Sequence, residues 1–164
     1  MSDTARPATV EDLKRLLQAL HEQGAEYLLV GAFALAAHGY QRATTDIDLL
    51  VPGHAQSGER LKRALLTLPE GVAAEFDPVW LEEGGTVRVA DAFVVDLLVN
   101  ANGHSYEELL PRAVTGDFDG IPVRTLDLEG LLLTKQTMRA KDEPDRLMLE
   151  RALAHQRQER GSQS

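Results

Sequence analysis

The chain contains no cysteine, which excludes a disulfide framework and a thiolate metal site. No apolar run is long enough to cross a membrane, and the N-terminal residues lack the apolar core of a signal peptide. We therefore expect a cytoplasmic protein that has no contact with a membrane.

Basic residues are scarce, because 17 Lys and Arg stand against 26 Asp and Glu, which gives a net charge of −9. Neutralised phosphates supply most of the nonspecific affinity of proteins for nucleic acid, so we expect no binding along a long polymer. A local basic patch that holds one end of an RNA is compatible with this charge balance.

Several catalytic and metal-binding motifs are also missing. The chain has no Gly-x-x-x-x-Gly-Lys-Ser/Thr, no Gly-x-Ser-x-Gly and no histidines at zinc-ligand spacing. No loop carries the glycine and alternating oxygen ligands of an EF-hand, which disfavours a plain calcium- or manganese-binding module.

Three aspartates lie in short apolar runs that are typical of buried strands: Asp46 and Asp48 in residues 45–51, and Asp96 in residues 93–99. Because side chains alternate along a strand, Asp46 and Asp48 point to the same face, about 6.6 Å apart along the backbone. Buried, unpaired carboxylates are costly and repel one another. No Lys or Arg lies inside these two runs, so we expect a positive charge from outside, and Mg²⁺ or Mn²⁺ suits an all-carboxylate site.

The sequence just before this acidic strand predicts a phosphate cradle. A strand over residues 26–30 leads through Gly31 and Ala32 into a short helix over residues 33–38, which Gly39 ends. A helix N-terminus offers free backbone N–H groups and a positive dipole end to a phosphate, and Gly31 lets the backbone approach an anion closely.

This stretch resembles the DNA polymerase beta-type nucleotidyltransferase superfamily. Val30-Gly31-Ala32, thirteen further residues and Asp46-Ile47-Asp48-Leu49 match its signature of a hydrophobic residue, Gly, Gly or Ser, a spacer and Asp-hydrophobic-Asp/Glu-hydrophobic. The resemblance covers residues 25–100, with a weaker similarity over residues 131–145. It is greatest to small bacterial nucleotidyltransferase-like proteins, including those of toxin–antitoxin loci. Ala32 departs from the signature, because it lacks the hydroxyl that a serine could offer to a phosphate.

The resemblance implies a metal-dependent transfer of NMP from an NTP to a hydroxyl acceptor, with Mg²⁺ or Mn²⁺ as cofactor. The acceptor would be an RNA end or a protein hydroxyl, and a partner protein would complete a toxin–antitoxin pair. The resemblance implies these catalytic and metal-binding residues: Asp46, Asp48 and Asp96. It implies these NTP-binding residues: Gly31, Ala32, Arg42, Thr44 and Lys135.

Other interpretations remain open at this point. The chain could be a non-catalytic scaffold or antitoxin, which Ala32 favours, whereas three mutually repelling carboxylates favour an enzyme. Asp-x-Asp could end a half-exposed strand, and Arg42 could pair with Asp46 rather than with a phosphate. Lys135 could reach an NTP or extend its ammonium to water at a helix edge.

The remaining charged and aromatic residues are assigned structural roles. Lys141 with Asp142, and Asp145 with Arg146, are expected to form surface ion pairs. His38 is expected to cap or pack at a helix end, and Trp80 and Tyr40 are expected to pack near turns.

The overall pattern predicts one α/β domain, with a small mixed, twisted sheet and flanking helices. The core would span about residues 8–125, a helical C-terminal segment about 126–157 and a frayed tail 158–164. Helices are predicted over residues 10–20, 54–68, 105–110, 126–138 and 143–155, with Thr9 and Asp127 as N-caps. Further strands are predicted over residues 72–76 and 86–90, with hairpins at residues 91–92 and over residues 113–124.

Overall fold

The structure is a computed structural model that describes residues 5–39, 46–136 and 142–162. Its α-helices are α1 (Val10–Glu22), α2 (Gly31–Ala37), α3 (Ala55–Leu65), α4 (Tyr106–Leu109), α5 (Leu128–Lys135) and α6 (Glu143–Ser162). Its strands are β1 (Leu28–Val30), β2 (Asp46–Leu50), β3 (Thr86–Ala90), β4 (Val94–Leu98), β5 (Asn100–Ala101), β6 (His104–Ser105), β7 (Ala113–Phe118) and β8 (Ile121–Leu126). Short 3₁₀ helices cover Val72–Glu75, Pro78–Glu83 and Leu110–Arg112. None of the helices in the described ranges is both long and apolar enough to span a bilayer.

Six strands form one mixed sheet in the order β3-β4-β2-β1-β8-β7. β2 pairs with β1 in antiparallel and with β4 in parallel orientation, and β3 pairs with β4 in antiparallel orientation. The predicted α/β class and mixed sheet are confirmed. β2 therefore lies inside the sheet, between the strand that precedes α2 and the strand that carries Asp96.

Alternation along β2 and β4 explains why aspartates occur in such apolar strands. Ile47 and Leu49 of β2, with Val95 and Leu97 of β4, are 0% exposed and fill one face of the sheet. Leucines of α1 are also fully buried, so the core has enough apolar contact to hold these strands in register. The opposite face at this point is free to carry polar side chains.

The predicted N-cap of α1 is confirmed, and it forms a complete capping box. The Asp12 backbone N–H donates to the Thr9 hydroxyl at 3.1 Å, and the Thr9 N–H donates to the Asp12 carboxylate at 2.8 Å. Arg6 adds two guanidinium hydrogen bonds to the same carboxylate. Both oxygens of the Asp12 carboxylate therefore accept hydrogen bonds from nearby residues of the same segment.

The strand predicted over residues 72–76 is wrong, because Val72–Glu75 is a 3₁₀ helix. The Asp91 carboxylate accepts backbone N–H bonds from Glu70 at 2.8 Å and from Val72 at 3.1 Å. These donors are thus unavailable to a neighbouring strand, and Gly71 turns the chain with a φ of +68°. The contact that decides this structure comes from Asp91, about 20 positions further along the chain, and the local sequence pattern does not reveal it.

The C-terminal helices differ in extent from the prediction. α5 begins at Leu128, where the Gly130 N–H donates to the predicted cap Asp127 at 2.7 Å, and it ends at Lys135. The predicted end at residue 138 lies outside the described residues. α6 continues to Ser162, past the start of the predicted tail. On this helix His155 Nε2 lies 3.0 Å from Glu159 Oε1, one turn further on.

Candidate functional site

The three aspartates lie on one face of the sheet. Asp48 of β2 is directly opposite Asp96 of β4 in the parallel pair, and Asp46 lies two residues before Asp48 on the same strand. Cross-strand partners and residues two apart point to the same side of a sheet. The structure therefore brings together the three carboxylates that the sequence placed in separate strands.

Arg88 is the residue of this site that sequence reasoning missed. Its Nε donates to Asp96 Oδ1 at 2.9 Å and a terminal nitrogen donates to Asp96 Oδ2 at 3.1 Å. A terminal nitrogen also lies 3.6 Å from Asp46 Oδ2. β3, which lies outside the two aspartate strands, thus supplies one positive charge to the cluster, and the expected divalent cation stays a prediction.

The hairpin between β3 and β4 brings Arg88 to Asp96. Ala90 of β3 pairs with Val94 of β4 on either side of the short turn, and the antiparallel register then sets Arg88 opposite Asp96. The predicted two-residue turn at residues 91–92 would instead set Ala90 opposite Phe93 and Arg88 opposite Val95. The observed turn is one residue longer, and this shift brings Arg88 opposite Asp96.

Asp48 has the most unfavourable electrostatic position of the three. Burial, together with the negative charges of Asp96 and Asp46, raises its pKa from 3.8 to about 7. The charges of Lys135 and Arg88 act in the opposite direction and only partly offset this. The site holds more negative charge than the described residues around Asp48 neutralise.

A glycine is needed at position 31 because the backbone there lies directly against the Asp48 carboxylate. Gly31 has a φ of +74°, and a Cβ on it would overlap Asp48 Oδ2. α2 begins at this residue directly after β1, two residues before the predicted helix start at residue 33, and Ala32 lies in its first turn. The close approach that we expected toward an anion is therefore already made to a carboxylate of the protein itself.

Lys135 lies at the end of α5, where two buried carboxylates hold it. Its ammonium is 3.3 Å from Asp142 Oδ1 and 3.3 Å from Asp145 Oδ2. Both aspartates are buried, at 2% and 3% exposure, so their predicted surface location is wrong. Lys135 is a positioned charge rather than a lysine that extends freely to water, and this charge acts on Asp48.

The other predicted residues divide into two groups. His38 Nε2 lies 2.7 Å from the Leu126 carbonyl, and the Trp80 ring meets Phe76 edge-on at 6.0 Å, so both make the expected structural contacts. Arg42, Thr44, Tyr40 and Lys141 lie outside the described residues.

Across residues 5–39, 46–136 and 142–162, no group of three or more His, Asp or Glu side chains is arranged to hold a metal ion. One reason is visible at Asp96, where Arg88 occupies both oxygens. The donor chemistry nevertheless fits a hard divalent cation, because all the donors are carboxylates and Asp48 has a raised pKa.

Comparison with protein families gives a match over residues 15–150 to a model described as the nucleotidyl transferase AbiEii toxin of a type IV toxin–antitoxin system. The comparison with curated proteins gives no match. The family match covers most of the chain and includes every candidate site residue. It confirms the resemblance to nucleotidyltransferases and the association with toxin–antitoxin systems.

Proposed function

Because the chain belongs to the AbiEii family of nucleotidyl transferase toxins, we propose that it transfers NMP from an NTP to a hydroxyl acceptor with the help of divalent metal ions. Asp46, Asp48 and Asp96 are the proposed catalytic carboxylates. One observation carries the proposal: Asp48 lies opposite Asp96 and near Asp46, and these neighbours help to raise its pKa to about 7. A purely structural role would not require a cluster that is costly in this way.

Each carboxylate has a proposed role. Asp46 and Asp48 would hold Mg²⁺ or Mn²⁺, which when bound neutralises phosphate oxygens and lowers the pKa of the acceptor hydroxyl. Asp96 would complete the donor set and take the hydroxyl proton. The hydroxyl oxygen forms a bond to the α-phosphorus, the bond from this phosphorus to the bridging oxygen breaks, and pyrophosphate leaves.

The triphosphate would lie beside the start of α2. Gly31 and Ala32 would donate backbone N–H groups to it, and Arg42 and Thr44 would contribute side chains. Lys135 would add a fixed positive charge, which Asp142 and Asp145 hold within reach of Asp48. Positioning and charge neutralisation account for most of the catalysis of such reactions.

The acceptor and the partner follow from charge and from the family. A net charge of −9 fits a short contact with an RNA end, or with a protein hydroxyl, better than binding along a polymer. The family is that of a toxin in a toxin–antitoxin system, so an antitoxin is the proposed partner. NTPs and both acceptor classes occur in the cytoplasm, where we propose that the protein acts.

The rival function is a non-catalytic scaffold or antitoxin, which the missing hydroxyl at Ala32 favours. It is less well supported, because the family is described by its nucleotidyl transferase activity. A scaffold also gains nothing from Asp48, whose burial among other carboxylates lowers stability.

Labelling distinguishes these functions. The protein is incubated with each α-³²P-labelled NTP, Mg²⁺ or Mn²⁺, and either total RNA or a protein lysate, and label in polymer is measured. We expect label with the wild type and with Asp12→Asn, whose carboxylate lies at the α1 N-terminus, and none with Asp48→Asn. Equal labelling by Asp48→Asn would contradict the catalytic assignment, and no labelling by any variant would favour the scaffold.

A further inference from the structure

We propose that Arg88 competes with divalent cations for Asp96 and so sets the metal affinity of the carboxylate cluster. This inference rests on the proposed function, because it takes Asp46, Asp48 and Asp96 as metal ligands. Arg88 is then a positioning residue that acts through Asp96. Nothing in the family match assigns it a role.

The contact between Arg88 and Asp96 blocks the arrangement that a metal needs. Two guanidinium nitrogens bind the two carboxylate oxygens at 2.9 and 3.1 Å. Paired, charge-assisted bonds of this kind are the strongest hydrogen bonds that arginine makes to a carboxylate. A cation that binds Asp96 must therefore displace the guanidinium or share its oxygens against a positive charge.

The two partners differ in their freedom to leave this contact. The Asp96 side chain is 11% exposed and lies on an inner strand, whereas the Arg88 side chain is 62% exposed on β3, at one end of the sheet. A released guanidinium can therefore be solvated by water at little cost, but a released Asp96 cannot. Asp46 Oδ2, at 3.6 Å, offers Arg88 a second contact during the exchange.

Metal affinity of the nucleotide-free, full-length protein tests this inference. Free Mn²⁺ is measured by electron paramagnetic resonance in titrations of the wild type, Arg88→Gln, Arg88→Lys and Arg112→Gln. Arg112 is the matched control, because it is a partly exposed arginine that pairs with Asp127 and Glu129 instead. Circular dichroism of each variant establishes that it is folded.

We expect Arg88→Gln to bind Mn²⁺ about tenfold more tightly than the wild type, since one charge-assisted hydrogen-bonded pair is removed. Arg88→Lys keeps the charge but loses the paired geometry, so its affinity should fall between the two. Arg112→Gln should bind as the wild type does. If Arg88→Gln folds poorly, the same comparison is made with Arg88→Lys alone.

Wild-type affinity, or weaker binding, in the folded Arg88 variants would overturn the inference. Asp48→Asn separates this failure from failure of the proposed function. If Asp48→Asn loses Mn²⁺ binding while the Arg88 variants bind normally, the metal site stands and only the role of Arg88 is wrong. If neither the wild type nor any variant binds Mn²⁺, the proposed metal dependence fails as well.

Discussion

Asp12 and Asp48 are two carboxylates of the same fold whose pKa values move in opposite directions. Hydrogen bonds from Arg6, assisted by the backbone and hydroxyl of Thr9, lower the pKa of Asp12 to about 2. Burial and two neighbouring carboxylates raise the pKa of Asp48 to about 7. Arg6 and the capping box of α1 satisfy the charge of Asp12, whereas burial among other carboxylates disfavours the charge of Asp48.

This difference gives the two carboxylates opposite effects on stability as the pH changes. Asp12 stabilises the fold above its unfolded pKa, and this contribution is lost as the pH falls from about 4 to about 2. Asp48 does the reverse, because the folded state binds its proton more tightly than the unfolded chain does. Its cost is absent below about pH 4 and grows as the pH rises to about 7.

The largest expected effect is the loss of activity in Asp48→Asn. The amide is close in size but cannot supply the negative charge that a divalent cation needs, so we expect transfer to fall about 1,000-fold or more. Asp12→Asn is the control, and its activity per folded molecule should be unchanged. Initial rates of label transfer at saturating Mg²⁺ measure both variants. Comparable losses in the two variants would break the contrast.

Gly31→Ala should show that Asp48 is held against the backbone. The variant combines a φ of +74° with a direct overlap with Asp48, whereas Gly71→Ala has a φ of +68° and empty space around the added methyl. We expect about 1 kcal/mol of destabilisation for Gly71→Ala and about 3 kcal/mol for Gly31→Ala. Urea unfolding measures the difference, and equal losses would mean that Asp48 moves aside without cost.

The stability gained in Asp48→Asn should increase as the pH rises, because the wild-type carboxylate becomes charged in a buried site. The change of pKa from 3.8 to about 7 sets a ceiling of about 4 kcal/mol, and partial exposure of the side chain reduces our expectation to about 2 kcal/mol. In EDTA, the variant should match the wild type at pH 4 and exceed it at pH 8. Urea titrations at both pH values measure this, and a less stable variant at pH 8 would contradict it.

The smallest expected effect is that of Asp12→Asn on stability. Arg6 is about half exposed, so loss of this ion pair should cost only about 1 kcal/mol at pH 7. The loss should disappear near pH 2, where the wild-type carboxyl becomes protonated. The same urea titrations, extended to pH 2, measure it. A loss that persists unchanged at pH 2 would assign the effect to packing rather than charge.

The sequence was most informative where local rules decide the structure. Strand alternation placed Asp46 and Asp48 on one face, and the turn at Gly31 predicted the start of α2. Asp96 joined them because its apolar run forms a second inner strand, parallel to β2. These features follow from the period of a strand and from the backbone freedom of glycine.

The features that escaped prediction depend on contacts between distant segments. Asp91 withdraws backbone donors from the chain after α3, which prevents the predicted strand. Asp142 and Asp145 are buried because α6 packs against α5, where both meet Lys135. Arg88 meets Asp96 because the turn between β3 and β4 has three residues, whereas the predicted two-residue turn at 91–92 would set Arg88 opposite Val95.

The position of Arg88 on an outermost strand has an evolutionary consequence. Among the strands of the described residues, β3 has a neighbour only on the β4 side, and the Arg88 side chain contributes little to the apolar core. Substitutions there can alter the charge balance around the carboxylates while the leucine-rich interior stays intact. Under the proposed competition, evolution at this one solvent-facing position would change the metal affinity of the site without repacking the interior.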